Sequence, residues 1–427
     1  MEATDVWMLA STALVLIMTP GLALFYGGLV RVRSVVNMML FSVSAMGVVA
    51  VLWILFGYGM SYFADGEGGW FSGSPLKDFG LISTDSADFI GIGFGAVFAM
   101  ITTALISGAI ADRVGLGSWV LFSGVWATLV YFPVAAWVWG GGWIMSLGGW
   151  LGTPEVIDLA GGTAIHINAG AAALALAIVA GKRRGFAPGS HRPHSVPLVT
   201  IGAALLWFGW IGFNSGLATE LGEAGLILLN TIGAPAAGIL GWLAVDALRG
   251  RKPGVVGASS GAIAGLVAIT PSAANLAPVW ALLLGLIAGG VCAFAIDWKY
   301  RLGYDDSLDV VGLHLVAGVL GTLYLGFFAF DDGLFMGGDA GLLMVQAISV
   351  VGVMLYSFVV SLLIALGVKA LTGLRVPPEV EEAGIDGHAH GEEAYALIDA
   401  PAAAVEAATV SAEAASEMRT PAPAANR

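Results

Sequence analysis

Long apolar runs dominate this chain and limit the folds it can adopt. Of its 427 residues, 58% are hydrophobic and only 11% are charged, far less charge than a soluble domain of this size carries. The runs are about twenty residues long, enough to cross a bilayer as a helix, whereas a membrane barrel would show shorter alternating strands. The sequence therefore predicts an all-α, polytopic membrane protein.

Eleven such spans can be counted. They lie at residues 7–30, 35–62, 89–110, 118–140, 161–180, 196–216, 225–247, 255–271, 277–297, 309–329 and 341–369. The first span begins almost at Met1, without a preceding charged segment or a clear cleavage site. We therefore expect it to be retained rather than removed as a signal peptide.

The basic residues support this count and orient the chain. In an eleven-span arrangement, all but one of the Lys and Arg residues before position 376 fall on the same side. These residues are Arg31, Arg33, Arg113, Lys182, Arg183, Arg184, Arg192, Arg249, Arg251, Lys252, Lys299, Arg301, Lys369 and Arg375. Only Lys77 falls on the other side. Because cytoplasmic loops carry the excess of basic residues, we expect the N-terminus outside and the C-terminus in the cytoplasm.

Two of the six histidines lie inside apolar spans and share a short frame. His166 begins His-Ile-Asn-Ala-Gly (166–170), and His314 begins His-Leu-Val-Ala-Gly (314–318). They fall in spans five and ten, which run in opposite directions across the membrane. This is the arrangement of an inverted repeat of five plus five helices, with span eleven as an addition.

A histidine ring inside hydrocarbon must find a hydrogen-bond partner or it destabilises the fold. Neutral imidazole offers one donor and one acceptor, and its ordinary pKa near 6.5 lets it handle protons. Two such rings in related halves indicate a path for a polar or protonatable species. The alternative is that each ring only packs between helices, bonded to a carbonyl or hydroxyl. No third histidine or carboxylate lies close enough in sequence to complete a metal site.

Aromatic and acidic residues near the span ends allow two interpretations. Trp139 closes span four, Phe94 and Phe98 lie one turn apart in span three, and four aromatics crowd span six: Trp207, Phe208, Trp210 and Phe213. Interfacial anchoring and packing explain such residues, but they could also form a vestibule for a small cation. Asp158 and Asp309 open spans five and ten, where a carboxylate caps a helix. Asp158 could in addition attract a cation.

The remaining features exclude several classes of protein. The single cysteine, Cys292, rules out an intrachain disulfide and a cysteine-based metal cluster. No nucleophile, metal set or phosphate loop is evident, so we expect no enzyme, no cofactor and no nucleic-acid partner. The segment after Arg375 has ten acidic and two basic residues, so −8 of the net charge of −13 belongs to it. We divide the chain into a membrane domain (1–375), a cytoplasmic tail (376–396) and an Ala-rich end (397–427) expected to be disordered.

Several long segments resemble the ammonium transporter family, in its Amt/MEP branch related to Rh proteins. They are residues 20–28, 158–169, 209–216, 260–271, 309–314 and 373–377, within a similarity that runs from about residue 7 to 396. The resemblance implies a homotrimer in the cell membrane, built from eleven-helix subunits that each contain a pore. It also implies recruitment of ammonium at an outer aromatic site, its deprotonation, and conduction of ammonia with or without a separately moving proton.

The resemblance also implies roles for individual residues. Trp139 and Phe98 are similar to the outer site that recruits ammonium, and Asp158 to the essential carboxylate of span five. The pore residues implied by the family are the stacked pair Phe94 and Phe213, the twin histidines His166 and His314, and the lining aromatics Trp210 and Tyr26. Leu217 stands where many relatives have a serine that helps to hold ammonium. Unless Ser215, Thr219 or water replaces this acceptor, we predict weaker recruitment at the outer site but no loss of transport. Leu159 stands where an aromatic is expected, a departure of little consequence.

The segment 373–395 is similar to the cytoplasmic tail through which these trimers couple their subunits and meet a PII signalling protein. Gly384-Ile385-Asp386 matches the family's tail motif, which implies a regulatory role for Asp386. One alternative function is an ammonium sensor that signals through this tail. A second, a neutral gas channel of the Rh kind, is disfavoured because a vestibule containing Trp139 suits a cation.

Overall fold

Helices account for nearly all regular structure in the computed structural model, which describes residues 2–63, 70–189 and 192–395. Within these ranges, ten helices are long and apolar enough to cross a membrane, and an eleventh apolar helix is shorter. They are α1 (Ala3–Leu29), α2 (Val32–Met60), α3 (Ser86–Ile110), α4 (Leu116–Val138), α5 (Gly162–Ala180), α6 (Val196–Ser215), α7 (Leu221–Leu248), α8 (Val255–Ile269), α9 (Pro278–Leu302), α10 (Val311–Phe328) and α11 (Gly341–Thr372). Each lies within a few residues of a predicted span, so the predicted fold class is confirmed.

Several of these helices are interrupted. In α1, a break at Ile17 separates Ala3–Leu16 from Met18–Leu29, next to Pro20, whose ring conflicts with the carbonyl four residues earlier. Wider π-helical turns occur in α2 at Trp53–Gly57 and in α4 at Ala127–Tyr131. Such turns are rare and concentrate at functional sites. The sequence did not predict any of these interruptions.

Small residues bring the helices close together. A methyl group at Gly202 of α6 would lie 2.2 Å from the backbone nitrogen of Phe25 in α1, and one at Gly289 of α9 would lie 2.0 Å from the carbonyl oxygen of Gly238 in α7. Backbone-to-backbone approach of this kind stabilises helix packing in membranes, where the hydrophobic effect does not drive it. The first contact matters for the site, because α1 and α6 both contribute side chains to it.

Helix α5 is the central element of the bundle. Every residue from Gly162 to Ala173 is buried, and α5 packs against α3, α10 and α11. Both α5 and α10 begin with a π-helical turn, at Gly162–Ile167 and Val311–Leu315. The two histidines lie in these two turns, at corresponding positions of the two halves.

Buried charges tie the loops together at one end of the bundle. Arg183, after α5, forms an ion pair with Asp305, before α10, at 2.9 Å, and with Asp112, after α3, at 3.4 Å. Burial raises the pKa of Asp305, but the hydrogen bonds and charge of Arg183 and the charge of Arg113 outweigh it and hold that pKa below its usual range. These contacts fix the relative positions of three loops.

The tail docks at the same end. It contains two short helices, α12 (Pro378–Ala383) and α13 (Ile385–Ala389). The Asp386 carboxylate accepts hydrogen bonds from the backbone N–H groups of Val36, at 3.0 Å, and Asn37, at 2.9 Å. A carboxylate in this position suits the positive end of the α2 dipole. The predicted disordered end, 397–427, lies outside the described residues.

Candidate functional site: a twin-histidine cavity behind an aromatic vestibule

The structure brings the two membrane histidines into direct contact. Their Nδ1 atoms lie 3.2 Å apart, and their ring planes are inclined by 21°. His166 is 1% exposed and His314 is 4% exposed. The rings therefore face each other inside the protein rather than lipid, as the sequence predicts for a shared conduit.

This contact constrains where protons can be. In a hydrogen bond between two Nδ1 atoms, one nitrogen must donate and the other must accept. In a neutral pair, one ring then carries its hydrogen on Nδ1 and the other on Nε2. The Nε2 atom of His166 is buried without a partner within the protein. The pair can thus offer one donor and one acceptor to a molecule that lies beside it.

The histidines line a narrow internal cavity. Its free volume is about 10 Å³, close to the minimum that holds one water-sized molecule. Its lining residues are Met18, Leu22, Phe25, Tyr26, Ile101, Leu105, Ile165, His166, Leu206, Trp210, Phe213, Ile263, Leu308, Leu313 and His314. Apart from the imidazoles, the indole N–H and the tyrosine hydroxyl, these side chains are apolar. A charged species would lose most of its hydration in this space.

Both lining aromatics predicted from the resemblance lie at this cavity, with their polar atoms already engaged. The Trp210 ring stacks on His166 with a centroid separation of 5.4 Å, and its Nε1–H donates to Thr270 Oγ1 at 2.8 Å. The Tyr26 hydroxyl donates to the Leu105 carbonyl oxygen at 3.0 Å. The two residues therefore shape the cavity and leave the histidines as its principal polar groups.

A stacked pair of phenyl rings separates this cavity from a second, wider one. Phe98 and Phe213 stack with centroids 4.3 Å apart and planes inclined by 4°. The predicted pairing of Phe94 with Phe213 is wrong. Phe94 lies one helical turn away in α3 and contacts Phe98 in a tilted arrangement, with a centroid separation of 4.7 Å. Phe98 also contacts Trp139, its predicted partner at the outer site, with ring centroids 6.2 Å apart, so one ring belongs both to the stacked pair and to the wall of the wider cavity.

The wider cavity forms a vestibule of about 240 Å³. Its lining residues are Trp53, Tyr58, Ser61, Tyr62, Gly91, Phe94, Gly95, Phe98, Tyr131, Ala135, Trp139, Gly140, Leu159 and Leu217. The rings of Trp139, Phe94 and Phe98 offer faces that attract a small cation. Leu217 is 46% exposed and adds an apolar group to this lining, as does Leu159.

Asp158 lies beside the vestibule but acts mainly as a cap. Its carboxylate accepts hydrogen bonds from the backbone N–H groups of Gly161, Gly162, Thr163 and Ala164, at 2.9, 2.5, 2.9 and 3.2 Å. The hydroxyl of Thr163 donates to it as well. It is not among the residues that line either cavity, so direct contact with a substrate stays a prediction. The carboxylate fixes the turn that carries His166.

At the start of α10, which carries His314, the capping residue differs from the predicted one. Asp306 Oδ2 accepts a hydrogen bond from the Val311 N–H at 2.7 Å, whereas Asp309 Oδ1 pairs with Lys299 Nζ at 2.6 Å. Sequence reasoning missed Asp306. The signal was present in the spacing, because Asp158 precedes His166 by eight residues and Asp306 precedes His314 by eight. The caps obey the same inverted repeat as the histidines.

The tail motif is placed away from the cavities. Asp386 lies at the start of α2, and the tail residue Glu381 accepts a hydrogen bond from the Arg184 N–H at 2.7 Å. His390 Nε2 lies 3.0 Å from Asn37 Oδ1. The tail thus contacts the first turns of α2 and the loop that connects α5 to α6. Across the described ranges, no group of three His, Cys, Asp or Glu side chains is arranged to hold a metal ion.

Comparison with known proteins places this architecture in a family. The sequence profile of the Ammonium Transporter Family matches residues 6–395. A protein named ammonium transporter from Mycobacterium tuberculosis is 48% identical, over 91% of this chain and 89% of its own length. One with the same name from Bacillus subtilis is 43% identical, over 91% and 98%.

Solved structures agree with the sequence comparison. Candida albicans Mep2 superposes with a TM-score of 0.80 at 34% identity, covering 88% of this chain and 87% of its own. A structure titled Sensor Amt Protein superposes with a TM-score of 0.82 at 29% identity, covering 90% and 97%. With the fold, the match across most of the chain and the paired histidines in agreement, this multi-pass membrane protein belongs to the ammonium transporter family.

Proposed function

We propose that the protein carries ammonium nitrogen through the cell membrane of its host by separating the ion from one of its protons. The ion is recruited in the vestibule by Trp139 and Phe94, with Phe98 forming the floor of the site. It leaves a proton behind, and neutral ammonia passes between Phe98 and Phe213 to the histidines. The observation that carries this proposal is the His166–His314 contact within a cavity wide enough for only one small molecule.

The energetics favour passage of the neutral species. A bare ion in a narrow apolar cavity loses hydration that costs several kcal/mol or more even in a relaxed protein. Ammonia loses only hydrogen bonds, and the imidazole nitrogens can replace some of them. Cation–π attraction in the vestibule compensates part of the cost of collecting the ion. The two cavities therefore suit two different protonation states of one substrate.

The histidine pair also suits transfer of a proton. A proton accepted on the free Nε2 of one ring can be balanced by release from Nε2 of the other, with the shared Nδ1 hydrogen moving between the rings. The proton lost from ammonium then either follows through this relay or stays on the vestibule side. The first case produces a net current and the second does not.

Current across a bilayer containing the purified protein, recorded together with alkalinisation of a liposome lumen by entering ammonia, tests the central role of the pair for either route of the proton. Replacing both rings, His166→Ala with His314→Ala, should abolish the selective ammonium response because no group remains to bind the substrate or relay a proton. The control is His388→Ala, which removes an exposed tail imidazole. A wild-type ammonium response in the double variant would exclude this mechanism.

We propose further that three subunits assemble in the cell membrane, with N-termini outside and C-termini in the cytoplasm. The basic residues on the tail side support the orientation, and the family supports the trimer. The docked segment 376–395 is then a cytoplasmic regulatory element in which Asp386 holds the tail on α2. A host PII signalling protein is a suitable partner for such a tail, since its position depends on contacts that a partner can displace.

A sensor is the second candidate function. Two observations favour it: the tail is docked through Asp386, and the fold superposes on a structure titled Sensor Amt Protein. Uptake of labelled methylammonium into cells that lack other carriers separates the two functions. A transporter accumulates label in proportion to its amount in the membrane, whereas a sensor binds the label and accumulates little.

A further inference from the structure

The backbone just before α5 is held at three successive residues by three different helices or their ends. The Asp158 carbonyl oxygen accepts a hydrogen bond at 2.8 Å from Nε1 of Trp139, the residue that follows α4. The Leu159 N–H donates to the Pro271 carbonyl oxygen after α8 at 3.2 Å. Ile157 is held by Gln346 of α11. This short segment therefore sets the positions of Asp158 and Trp139 relative to each other.

The Gln346 side chain forms hydrogen bonds with both the N–H and the carbonyl oxygen of Ile157. Its Oε1 accepts from the Ile157 N–H at 3.1 Å, and its Nε2 donates to the Ile157 carbonyl oxygen at 2.8 Å. The same Nε2 also donates to the Thr322 carbonyl oxygen of α10 at 3.3 Å. A glutamine amide has one acceptor and two donor hydrogens, and each is engaged here. The side chain is 0% exposed, so water cannot replace these bonds.

We propose that Gln346 is a positioning residue for the vestibule: it fixes the Ile157–Leu159 segment and, through the Asp158 carbonyl, the indole ring of Trp139. This rests on the proposed function of the vestibule as the site that recruits the cation. It assigns a task to α11, the helix that stands outside the five-plus-five repeat.

A substitution that keeps the volume of Gln346 but removes its hydrogen bonds separates a positioning role from a packing role. Methionine at 346 would fill nearly the same volume but would leave the Ile157 N–H and carbonyl oxygen buried without partners. The segment would then move to satisfy them, and Trp139 would lose the fixed acceptor of its indole N–H. Misplacement of a binding group by about 1 Å can weaken its action strongly. The effect should therefore appear in substrate recruitment and not only in stability.

The test compares full-length variants reconstituted in liposomes at equal protein amounts, read as current if the proton follows and as alkalinisation of the lumen if ammonia enters alone. Gln346→Met should raise the half-saturating ammonium concentration about fivefold or more, the factor that corresponds to one lost hydrogen bond. Its maximal rate should remain near wild type, because the histidine cavity is unchanged. The matched control is Ser361→Ala, which removes another fully buried α11 bond, from Trp126 Nε1 to Ser361 Oγ at 2.9 Å. It should leave the half-saturating concentration unchanged.

Gln346→Glu supplies an independent measurement. Burial favours the neutral acid, whose carboxyl group can still accept from the Ile157 N–H and donate to its carbonyl oxygen. Ionisation removes that donor. We therefore expect the ratio of the half-saturating concentrations, Gln346→Glu over wild type, to approach one as the pH is lowered. The same ratio should rise as the pH is raised. These measurements decide the question even where Gln346→Met fails to reach the membrane.

Each outcome is decisive. A wild-type half-saturating concentration in both Gln346 variants, or an equal shift in Ser361→Ala, overturns the role of Gln346. Trp139→Leu serves as the reference for the vestibule itself. A shift in Trp139→Leu without one at Gln346 leaves the proposed function intact and removes this inference. No shift in Trp139→Leu removes the proposed function of the vestibule.

Discussion

At the scale of single residues, Leu217 makes a direct prediction about affinity. Its apolar side chain lines the vestibule next to the aromatic rings, where a cation gains from every oxygen that can accept a hydrogen bond. Leu217→Ser should lower the half-saturating ammonium concentration by about fivefold, since one net hydrogen bond to a charged group contributes about 1 kcal/mol or more. Transport currents measured over a range of ammonium concentrations check this expectation.

Leu221→Ser is the matched control for that measurement. Leu221 begins α7 and is 91% exposed, outside the vestibule, so the same chemical change there should leave the half-saturating concentration unchanged. An equal response of both variants would contradict a local role for Leu217.

Some contacts of the site could be predicted from the sequence and others could not. The shared frame around His166 and His314 indicated related positions in the two halves, because register and topology agree, and the family resemblance added their pairing in one pore. The partner of Phe213 was not predictable, because Phe94 and Phe98 lie one turn apart on the same face of α3. Which of them is level with Phe213 depends on the axial offset of α3 against α6. Side-chain packing between the two helices sets that offset, so it cannot be predicted from the spacing of residues within either helix.

At the scale of elements, the buried Arg183–Asp305 ion pair predicts how firmly the loops at the tail end are held. Asp305→Asn removes the nearer of the two carboxylates that pair with the buried Arg183 and leaves only Asp112. We therefore expect the free energy of unfolding to fall by about 3 kcal/mol. Asp297→Asn, at a part-exposed pair with Arg249 and Arg251, should cost about 1 kcal/mol or less. Thermal unfolding of the protein in detergent measures both.

The same pair predicts a dependence on pH. Because the pKa of Asp305 is lowered in the folded protein, its contribution is complete above the unfolded pKa of about 4. It is lost as the pH falls through the lowered value. The difference in melting temperature between wild type and Asp305→Asn should therefore shrink on acidification below about pH 4. A constant difference across this range would show that charge is not the cause.

The element boundaries illustrate what spacing can and cannot predict. Asp158 was correctly expected at the start of α5, but Asp309 was expected to cap α10, where Asp306 does so. Both acids precede the helix, and only the backbone path decides which one reaches the free amides. The π-helical turns at the histidines are equally hidden, since an extra residue in a turn leaves no mark on an apolar sequence.

At the scale of the whole molecule, the single buried cysteine allows a simple test of orientation. Cys292 is 0% exposed, so a membrane-impermeant maleimide should not label the wild-type protein in intact cells. Lys77→Cys should be labelled from outside, and Arg251→Cys only after the cells are permeabilised. Labelling of Arg251→Cys in intact cells would reverse the proposed orientation.

The architecture of the molecule was largely predictable. Apolar length marks a spanning helix, and the alternation of basic loops checks the count, so all eleven spans were located. Helix α8 is the shortest, at Val255–Ile269, yet it was still distinguishable because Arg251 and Lys252 precede it. The contacts between distant spans, such as Gln346 with Ile157, could not be predicted, because neither residue belongs to a repeat or a motif.

The direct contact of the two imidazoles has a consequence for how the conduit behaves. Either ring can hold the shared hydrogen, so a neutral pair has two tautomeric arrangements. A proton that passes along the proposed relay converts one arrangement into the other. The two rings must then return to their first arrangement before a second proton can pass in the same direction, so each reset separates one proton from the next.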